Sequence, residues 1–334
     1  MANKLGALGA LLVFTMLLAA GCGGGGDALT VYSGRNETLV GPLLEQFEEA
    51  TGIDVKVRYG DSAELAATIA EEGGNSPADV FFAQDAGSLG AVADEGLFAA
   101  LADGVLGRVA EGYQDPQGRW VGLSGRARVV AYNTDRLSED ELPDSIWDYA
   151  DPTWKGKIGL APTNASFQAM VTAMRLAEGD ERTREWLEAV EANEPRFYEN
   201  NVQALEAVAA GEVELAFVNH YYLHALLDEQ PDAPVRNHYL APGDAGGLVN
   251  VAGAGILAST DKPAEAERLV EYLLDEGQRY FATETDEYPL VAGVESDTEL
   301  PPLQSLSGPD ITLGELGPEL EQTLELLADT GFTS

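Results

Sequence analysis

Residues 125–133 read GRARVVAYN, and this segment sets the architecture of the chain. Its β-branched and aromatic residues predict a long strand. The segments before and after it differ in amino-acid character, so we expect this strand to cross from one lobe to another. The apolar, glycine-rich stretch 247–257 predicts a second crossing strand. Since residues two apart on a strand share a face, Arg126 and Arg128 would both point into a cleft between the lobes or form ion pairs across it.

Upstream of residue 125 the sequence alternates between strand-like and helix-like segments. Strands are predicted at 29–33, 53–59 and 78–82, and helices at 39–47, 62–69 and 89–97, with Gly52 ending the first helix and Asp61 or Ser62 capping the second. This alternation predicts βαβ units and a mostly parallel sheet. Ligands of such sheets bind at the carboxyl ends of the strands, which are followed here by the loops 33–37, 59–62 and 83–87.

The same alternation continues downstream. Further strands are predicted at 158–161 and 213–218, and helices at 167–177, 182–190, 202–209, 264–276 and 313–327. Residues 144–157, rich in aromatic side chains, predict a short helix and a structured loop. The chain is therefore predicted to be α/β throughout, and its length favours two lobes.

The composition is strongly acidic. Nineteen Lys and Arg residues accompany 57 Asp and Glu residues, for a formal net charge of −38 in 334 residues. Such a charge disfavours nucleic acid and anionic membrane surfaces as partners. It favours cation capture only weakly, because solubility or adaptation to a salty habitat would produce the same composition. Hydrophobic residues at 45% suffice for a core and exclude a disordered acidic chain.

Residues 1–22 are predicted to be a lipoprotein signal peptide. Leu5–Leu18 is apolar and of signal-peptide length, and the following sequence AAGC, ending at Cys22, resembles the lipobox of bacterial lipoproteins. In that class Cys22 carries the lipid after cleavage; the alternative is an ordinary signal peptide followed by an incidental thiol. Residues 23–27 then form a flexible tether, and no later segment is apolar and long enough to span a bilayer.

Two adjacent tyrosines, Tyr221 and Tyr222, follow the apolar segment 213–218. A phenol that has lost its proton is a hard, anionic oxygen donor, of the type that a hard, highly charged metal ion prefers. In an exported protein without an enzyme motif, the pair indicates capture of ferric iron. Tyrosines at a strand end also serve for packing with a surface hydroxyl, and the pair alone leaves this alternative open.

Two other motifs have a functional and a structural interpretation. Pro162–Ser166 places small polar residues between a strand and a helix start, where free backbone N–H groups favour an anion; a plain N-cap turn is the alternative. His220 and His224 lie four residues apart, as in a zinc site. No HExxH-like glutamate lies between them, so structural roles are favoured for both.

Several phrases stand in order along the chain. They are LTVYSG at 29–34, ADVFF at 78–82, RAR at 126–128, AYN at 131–133, WDYADPTWKGK at 147–157, PTN at 162–164, GEV at 211–213, NHYY at 219–222 and EYPL at 287–290. This ordered set resembles the periplasmic solute-binding proteins of ABC importers, in particular the ferric-iron-binding group. The resemblance covers essentially the whole chain after the signal peptide. It implies a two-lobed, type II-like α/β fold, each lobe a mostly parallel sheet flanked by helices, with the site in the cleft.

The resemblance also implies roles for single residues. Tyr221 and Tyr222 would bind Fe³⁺ as phenolates, with phosphate or carbonate as a synergistic anion. The residues implied to hold that anion or neutralise charge are Thr163, Asn164, Ala165, Asn201, Asn219, Arg126 and Arg128.

The first lobe departs from the family pattern. Asn36 stands where the family usually has a histidine ligand, and Gln84 where it has a carboxylate. A neutral amide oxygen is a weak ferric ligand, so the neighbouring Glu37 and Asp85 would substitute if the loops shift by one residue. Otherwise two phenolates, an anion and water would complete the coordination shell.

The resemblance implies a domain division and a biological setting. Lobe 1 would comprise 28–126 plus 254–305, and lobe 2 would comprise 127–253 plus 306–334. A monomer, anchored by the lipid outside the cytoplasmic membrane, would deliver iron to an ABC permease and ATPase complex. It would not be an enzyme and would not bind nucleic acid.

Three alternatives from other classes remain. The same fold would also serve a non-metal solute such as an organic anion, a polyamine or a sugar phosphate. An enzyme lacks support, because the sequence contains no nucleophile elbow, Walker loop, GxGxxG or zinc-hydrolase helix. A purely structural surface lipoprotein would explain the anchor and the charge but not the cleft residues.

Overall fold

The structure is a computed structural model that describes residues 28–294 and 300–333. The predicted signal peptide, the lipidation site Cys22 and the tether 23–27 lie outside the described residues. In the part of the chain that is described, no helix has the length and apolar character needed to cross a membrane.

Strands and helices alternate along the chain. The strands are β1 (Leu29–Ser33), β2 (Val55–Tyr59), β3 (Val80–Ala83), β4 (Trp120–Asn133), β5 (Ile158–Leu160), β6 (Arg196–Phe197), β7 (Leu215–Asn219), β8 (Val235–His238), β9 (Val249–Ile256) and β10 (Tyr288–Pro289). The α-helices are α1 (Glu37–Thr51), α2 (Ser62–Glu72), α3 (Ala86–Asp94), α4 (Asp103–Leu106), α5 (Ala165–Glu178), α6 (Asp180–Ala192), α7 (Asn201–Ala209), α8 (Tyr222–Glu229), α9 (Pro263–Leu274), α10 (Glu276–Glu284) and α11 (Leu320–Asp329). Short 3₁₀ turns lie at Gly73–Asn75, Glu111–Tyr113, Glu139–Glu141, Ile146–Ala150, Pro152–Trp154, Leu303–Ser305 and Leu313–Leu316.

The local signals upstream of β4 are confirmed. Gly52 ends α1 in the left-handed conformation, with φ of 71°, and its N–H donates to the Glu48 carbonyl. Asp61 caps α2, because its carboxylate accepts hydrogen bonds from the N–H groups of Ala63 and Glu64. These caps satisfy backbone groups that a helix end leaves without partners, and they fix where the two helices end and begin.

Strand β4 joins the two halves of the sheet. The strand order is β2-β1-β3-β9-β4-β7-β5-β6, and β8 and β10 also pair with β4. Residues 120–127 of β4 pair with β9, whereas 128–132 pair with β7, so the strand passes from one half to the other between Ala127 and Arg128. The predicted crossing strand is thereby confirmed.

The sheet is mixed rather than mostly parallel throughout. The outer pairs β1–β2, β1–β3, β5–β6 and β5–β7 are parallel, as βαβ units require. The inner pairs that involve β4 or β9 are antiparallel. A βαβ crossover keeps the chain within one half and makes neighbouring strands parallel. Strands β4 and β9 instead lie where the chain passes between the halves, and they run antiparallel to their neighbours.

Each half of the sheet has its own apolar core. One core contains the buried aromatic rings of Phe47, Phe81 and Trp120. The other contains Phe167 and Phe217 among its buried rings. Burying one such side chain stabilises the fold by about 1.5–3 kcal/mol relative to exposure, so each core contributes substantially to the stability of its half.

The C-terminal segment touches both halves. Leu313 and Leu316 belong to the first core, and a Cβ added to Gly90 of α3 would lie 2.0 Å from the Gly314 carbonyl oxygen, so backbone packs directly on backbone there. The sequence had assigned 306–334 to the second lobe; the structure places Leu313–Leu316 against the first.

The remainder of that segment belongs to the second half. Helix α11 packs on α5, where the hydroxyls of Thr172 and Thr323 lie 2.8 Å apart and the Arg175 guanidinium donates to the Thr323 hydroxyl. The single helix predicted at 313–327 is therefore wrong: the 3₁₀ turn and α11 are separate elements, divided at Gly317 and Pro318 because each packs on a different half.

Candidate functional site

A cavity of about 590 Å³ lies between the two halves of the molecule. Its walls come from the ends of β1, β3 and β7, from α2, α3 and the start of α5, from the crossing strands, and from Leu316, Gly317 and Leu320 of the C-terminal segment. The polar residues that line it are Asp61, Ser62, Gln84, Asp85, Ser88, Glu95, Arg126, Arg128, Thr163, Asn164, Ser166, Gln168, Asn219, Tyr221, Tyr222 and Asn250. The cavity therefore lies where an α/β sheet presents the carboxyl ends of its strands.

Tyr221 and Tyr222 line this cavity at the junction of β7 and α8. Their ring centroids are 4.4 Å apart, and the planes are inclined by 38°. The Asn219 side-chain amide donates to the Tyr221 hydroxyl at 3.5 Å. Burial raises the pKa of the Tyr221 phenol above its ordinary value, and the neighbouring Tyr222 raises it further, whereas the Arg126 charge lowers it. The Tyr221 phenol is thus protonated at neutral pH unless a cation replaces the proton.

His220 holds the tyrosine segment in place rather than facing the cavity. The ring is fully buried; its Nδ1 accepts from the Ala127 N–H at 3.2 Å, and its Nε2 lies 2.9 Å from the Asp286 carbonyl oxygen. Among residues 28–294 and 300–333, no three His, Cys, Asp or Glu side chains are grouped so as to hold a metal ion. The arrangement agrees with the structural role that the sequence favours for His220.

Arg128 lies buried beneath the tyrosines. Its Nη1 donates to the Ser166 hydroxyl at 3.0 Å and to the Asn219 side-chain oxygen at 3.1 Å, and its Nη2 donates to the Phe217 carbonyl at 2.8 Å. Its Nε is buried without a hydrogen-bond partner. Burial lowers the pKa of this guanidinium to about 10, so Arg128 is still a cation at neutral pH.

The loop at the start of α5 is an N-cap turn that also faces the cavity. The Asn164 side-chain oxygen accepts from the Ser166 N–H at 3.0 Å, from the Ser166 hydroxyl at 2.6 Å and from the Asn201 amide at 3.1 Å. Thr163, Asn164 and Ala165 line the cavity, whereas Asn201 supports Asn164 from behind. The N-cap interpretation of this loop is confirmed, and the cap turns the loop toward the cavity; that the loop binds an anion stays a prediction.

Arg126 lies on the part of β4 that pairs with β9, and it contacts the end of β3 in the same half of the molecule. Its Nη2 donates to the Gln84 carbonyl at the end of β3, and its Nε is buried without a partner. Beside Arg126 on the neighbouring strand β9, the Asn250 side-chain oxygen accepts from the Ala86 N–H at 3.3 Å. Arg126 and Arg128 thus both face the cleft from one strand, as the spacing predicts.

The first-lobe candidates have different positions. Asn36 caps α1: its side-chain oxygen accepts from the Thr38 N–H at 2.9 Å, and neither Asn36 nor Glu37 lines the cavity. Gln84 and Asp85 do line it, but the Asp85 carboxylate is engaged by the Ser88 N–H at 2.7 Å and the Ser88 hydroxyl at 2.9 Å. In this structure neither Asn36 nor Glu37 lies at the cavity, because the Asn36 side chain caps α1; that either residue binds iron stays a prediction.

Ser62 and Ser166 also line the cavity, although the sequence analysis named Ser62 only as a possible helix cap and Ser166 only as the end of the loop Pro162–Ser166. Ser62 Oγ accepts from the Gln84 N–H at 2.9 Å, and a Cβ on Gly34 would lie 1.9 Å from that oxygen. Only glycine fits there, so Gly34 in the phrase LTVYSG was the available signal. Ser166 lies two residues after the cap residue Asn164, a spacing typical of side chains that join a cap network.

Comparison with known proteins places the chain in a family. The model of the bacterial extracellular solute-binding protein family matches residues 75–310. The chain belongs to this family. This solute-binding protein is 32% identical over 329 residues to the Fe(3+)-binding periplasmic protein of Serratia marcescens, covering 97% of this chain and 96% of that one. It is 35% identical to the major ferric iron-binding protein of Neisseria meningitidis serogroup B, over 91% of this chain and 93% of that one.

Solved structures are similar to this solute-binding protein as well. Iron-bound HitA from Pseudomonas aeruginosa superposes with a TM-score of 0.83 at 37% identity, covering 91% of this chain and 99% of that chain. The Trichodesmium protein IdiA (FutA), in complex with iron and citrate ligands, superposes with a TM-score of 0.81 at 29% identity, covering 92% and 100%. The two-lobed α/β architecture is thereby confirmed.

Proposed function

We propose that this solute-binding protein captures ferric iron in the inter-lobe cleft, with Tyr221 and Tyr222 as phenolate ligands. The observation that carries the proposal is the pair of phenol rings, 4.4 Å apart, beside a cavity that two buried arginines also line. Iron appears in the names of the relatives from Serratia and Neisseria and in the HitA structure, which supports the same solute.

Iron replaces the phenol protons in this proposal. Because burial raises the pKa of Tyr221, the apo site keeps the proton at neutral pH, and Fe³⁺ must displace it. Binding therefore releases protons and weakens as the pH falls. Arg126 and Arg128 supply positive charge for a synergistic anion, phosphate or carbonate, together with Thr163 and Ala165 of the α5 loop.

Transport rather than chemistry is the proposed outcome. A ligand that contacts both halves favours the closed arrangement of the lobes by as much as its affinity differs between the open and closed forms. The closed protein would then dock on an ABC permease with its ATPase. The same proposal places the protein outside the cytoplasmic membrane as a monomer held by lipid on Cys22, and assigns it no enzyme activity.

The test is a titration of the iron-stripped protein with ferric iron, followed by visible absorbance. A phenolate-to-iron band that saturates near one equivalent is expected for the wild type. Tyr222→Phe removes one phenolate and keeps the aromatic ring that packs on Tyr221, so the band and the tight binding should be lost while the fold is kept.

Tyr59→Phe is the matched control, because Tyr59 is a partly buried tyrosine outside the cavity. It should titrate like the wild type. Tight ferric binding by Tyr222→Phe, or a folded wild type that shows no band, would contradict the proposal and direct the search to organic anions.

A further inference from the structure

The phrase EYPL at 287–290 contains a buried carboxylate that the proposed function does not use. Glu287 is 2% exposed, and so is its partner Arg35. The Arg35 Nη2 donates to both oxygens of this carboxylate, at 2.9 and 3.1 Å, and the Ser124 hydroxyl donates to its Oε2 at 2.5 Å. A buried ion pair is often no more stabilising than a well-packed apolar contact, because both charges lose their hydration. We therefore looked for a role of this pair besides stability.

The backbone next to Glu287 is held in an uncommon conformation. Asp286 has a φ of 52°, in the left-handed region that residues other than glycine adopt uncommonly. Its carbonyl oxygen accepts a hydrogen bond from His220 Nε2 at 2.9 Å, because the other ring nitrogen, Nδ1, accepts from the Ala127 N–H. Such a conformation persists where contacts on both sides determine it, and Glu287 and His220 supply those contacts here.

These contacts join three parts of the molecule at the point where β4 passes between the halves. Arg35 lies in the loop after β1, Ser124 lies on β4 where that strand pairs with β9 and β10, and His220 follows β7. The loop and the strand belong to the first half, and β7 belongs to the second. We call the group the hinge cluster, which comprises Arg35, Ser124, His220, Asp286 and Glu287.

The hinge cluster reaches the proposed iron ligands through His220. This residue directly precedes Tyr221, and the centroids of the two rings are 5.7 Å apart with the planes at 86°. On its other side the His220 ring lies 4.7 Å from the ring of Tyr288, the residue after Glu287. The position of the tyrosine segment relative to the first half therefore depends on the backbone at 286–288.

The charge of Glu287 acts on the same phenol. Burial and the neighbouring Tyr222 raise the pKa of Tyr221, the Arg126 charge lowers it, and Glu287 raises it again. Glu287 thus offsets part of the positive charge that Arg126 places beside a site for a cation. It does so from behind, since Glu287 is not among the residues that line the cavity.

We propose that Glu287 is a positioning residue of the ferric site, whose carboxylate fixes the backbone on which His220 rests and thereby the two phenols. Arg35 and Ser124 hold that carboxylate in place. The proposal rests on the proposed function and adds to it a residue that contacts neither the iron nor the anion.

The test compares two buried carboxylates of the first half. Glu287→Gln keeps the size of the side chain and removes its charge. Asp115→Asn is the matched control, because Asp115 is 5% exposed, accepts from the Arg119 Nε at 2.7 Å and Nη2 at 2.9 Å, and lies outside the cavity. Both variants should lower the urea midpoint. Only Glu287→Gln should also bind ferric iron about tenfold more weakly, a loss of about 1.4 kcal/mol, and shift the phenolate-to-iron band at saturating iron.

Ser124→Ala is a milder second variant, because it removes one hydroxyl and leaves the ion pair of Arg35 and Glu287 in place. It should change the band and the ferric affinity in the same direction as Glu287→Gln, but by less. Its result decides the matter if Glu287→Gln does not fold.

Three outcomes count against the proposal. A wild-type band and affinity in folded Glu287→Gln, or in Ser124→Ala where the first variant does not fold, would leave Glu287 with a structural role alone. Equal weakening of ferric binding by Asp115→Asn would attribute the effect to lost stability. A wild type without the band would overturn the proposed function, and this proposal with it.

Discussion

At the residue scale, the buried imidazole of His220, next to the two tyrosines, makes the free energy of unfolding depend on pH in the acid range. Burial lowers the pKa of its imidazole from 6.5 to about 4, against the hydrogen bond with the Asp286 carbonyl, which raises it. The unfolded chain therefore binds this proton more readily than the folded protein. Stability is lost as the pH falls from about 6.5 to about 4, by up to about 3 kcal/mol, and this group adds no further loss below that window.

Urea unfolding at about pH 7 and about pH 4.5 measures this effect. His220→Gln should be less stable than the wild type at neutral pH but should lose less free energy of unfolding between the two pH values. His224→Gln alters a half-buried histidine of the same segment and should follow the wild type. An unchanged pH dependence in His220→Gln would show that other groups cause the acid sensitivity.

At the scale of the element, Asn36 belongs to α1 rather than to the cleft. Its side-chain oxygen accepts from the Thr38 N–H at 2.9 Å and from the Thr38 hydroxyl at 2.8 Å. Asn36→Ala should therefore lower the free energy of unfolding by about 1 kcal/mol, the usual cost of losing an N-cap. The ferric titration should be unchanged, because Asn36 does not line the cavity.

Asn36→Ser separates the two roles. Serine restores a capping oxygen, so stability should return close to the wild-type value in urea unfolding. A large fall in ferric affinity in both variants would instead assign Asn36 to the iron site, in a lobe arrangement other than the one described here.

At the scale of the whole molecule, the excess of 57 acidic over 19 basic residues dominates. Among the described residues, four arginines and three acidic residues are buried, namely Arg35, Arg126, Arg128, Arg175, Asp79, Asp115 and Glu287. The excess of negative charge therefore lies outside the buried residues. Repulsion among exposed carboxylates destabilises the compact state and is screened by salt, with a Debye length of about 10 Å at 0.1 M. The urea midpoint should therefore rise as NaCl is increased from about 0.01 M to about 0.5 M.

A charge-reduced variant is the control for this effect. Glu49, Glu71 and Glu185 are exposed helical residues outside the cavity, and replacing all three by Gln should raise the midpoint at low salt and flatten its dependence on NaCl. A wild-type midpoint that does not respond to NaCl would show that the acidic surface costs no stability.

The amino-acid sequence specified the features whose causes are local. The extent of β1, the end of α1 at Gly52, the Asp61 cap and the placement of Tyr221 and Tyr222 after a strand follow from side-chain periodicity, caps and glycine. Each depends on residues within a few positions along the chain, so the printed sequence contained the necessary information.

Only the tertiary structure decided the features that depend on distant residues. The antiparallel pairing around β4 and β9, the division of 313–327 between two lobes, and the contact of Arg126 with the Gln84 carbonyl all join positions far apart in the chain. Asn36 illustrates the difference best: the family pattern put it at the cleft, yet its short amide found a partner at the start of α1. Local hydrogen bonds and long-range contacts compete for the same side chains. The long-range contacts form only in the folded chain, so the sequence alone does not show which of the two prevails.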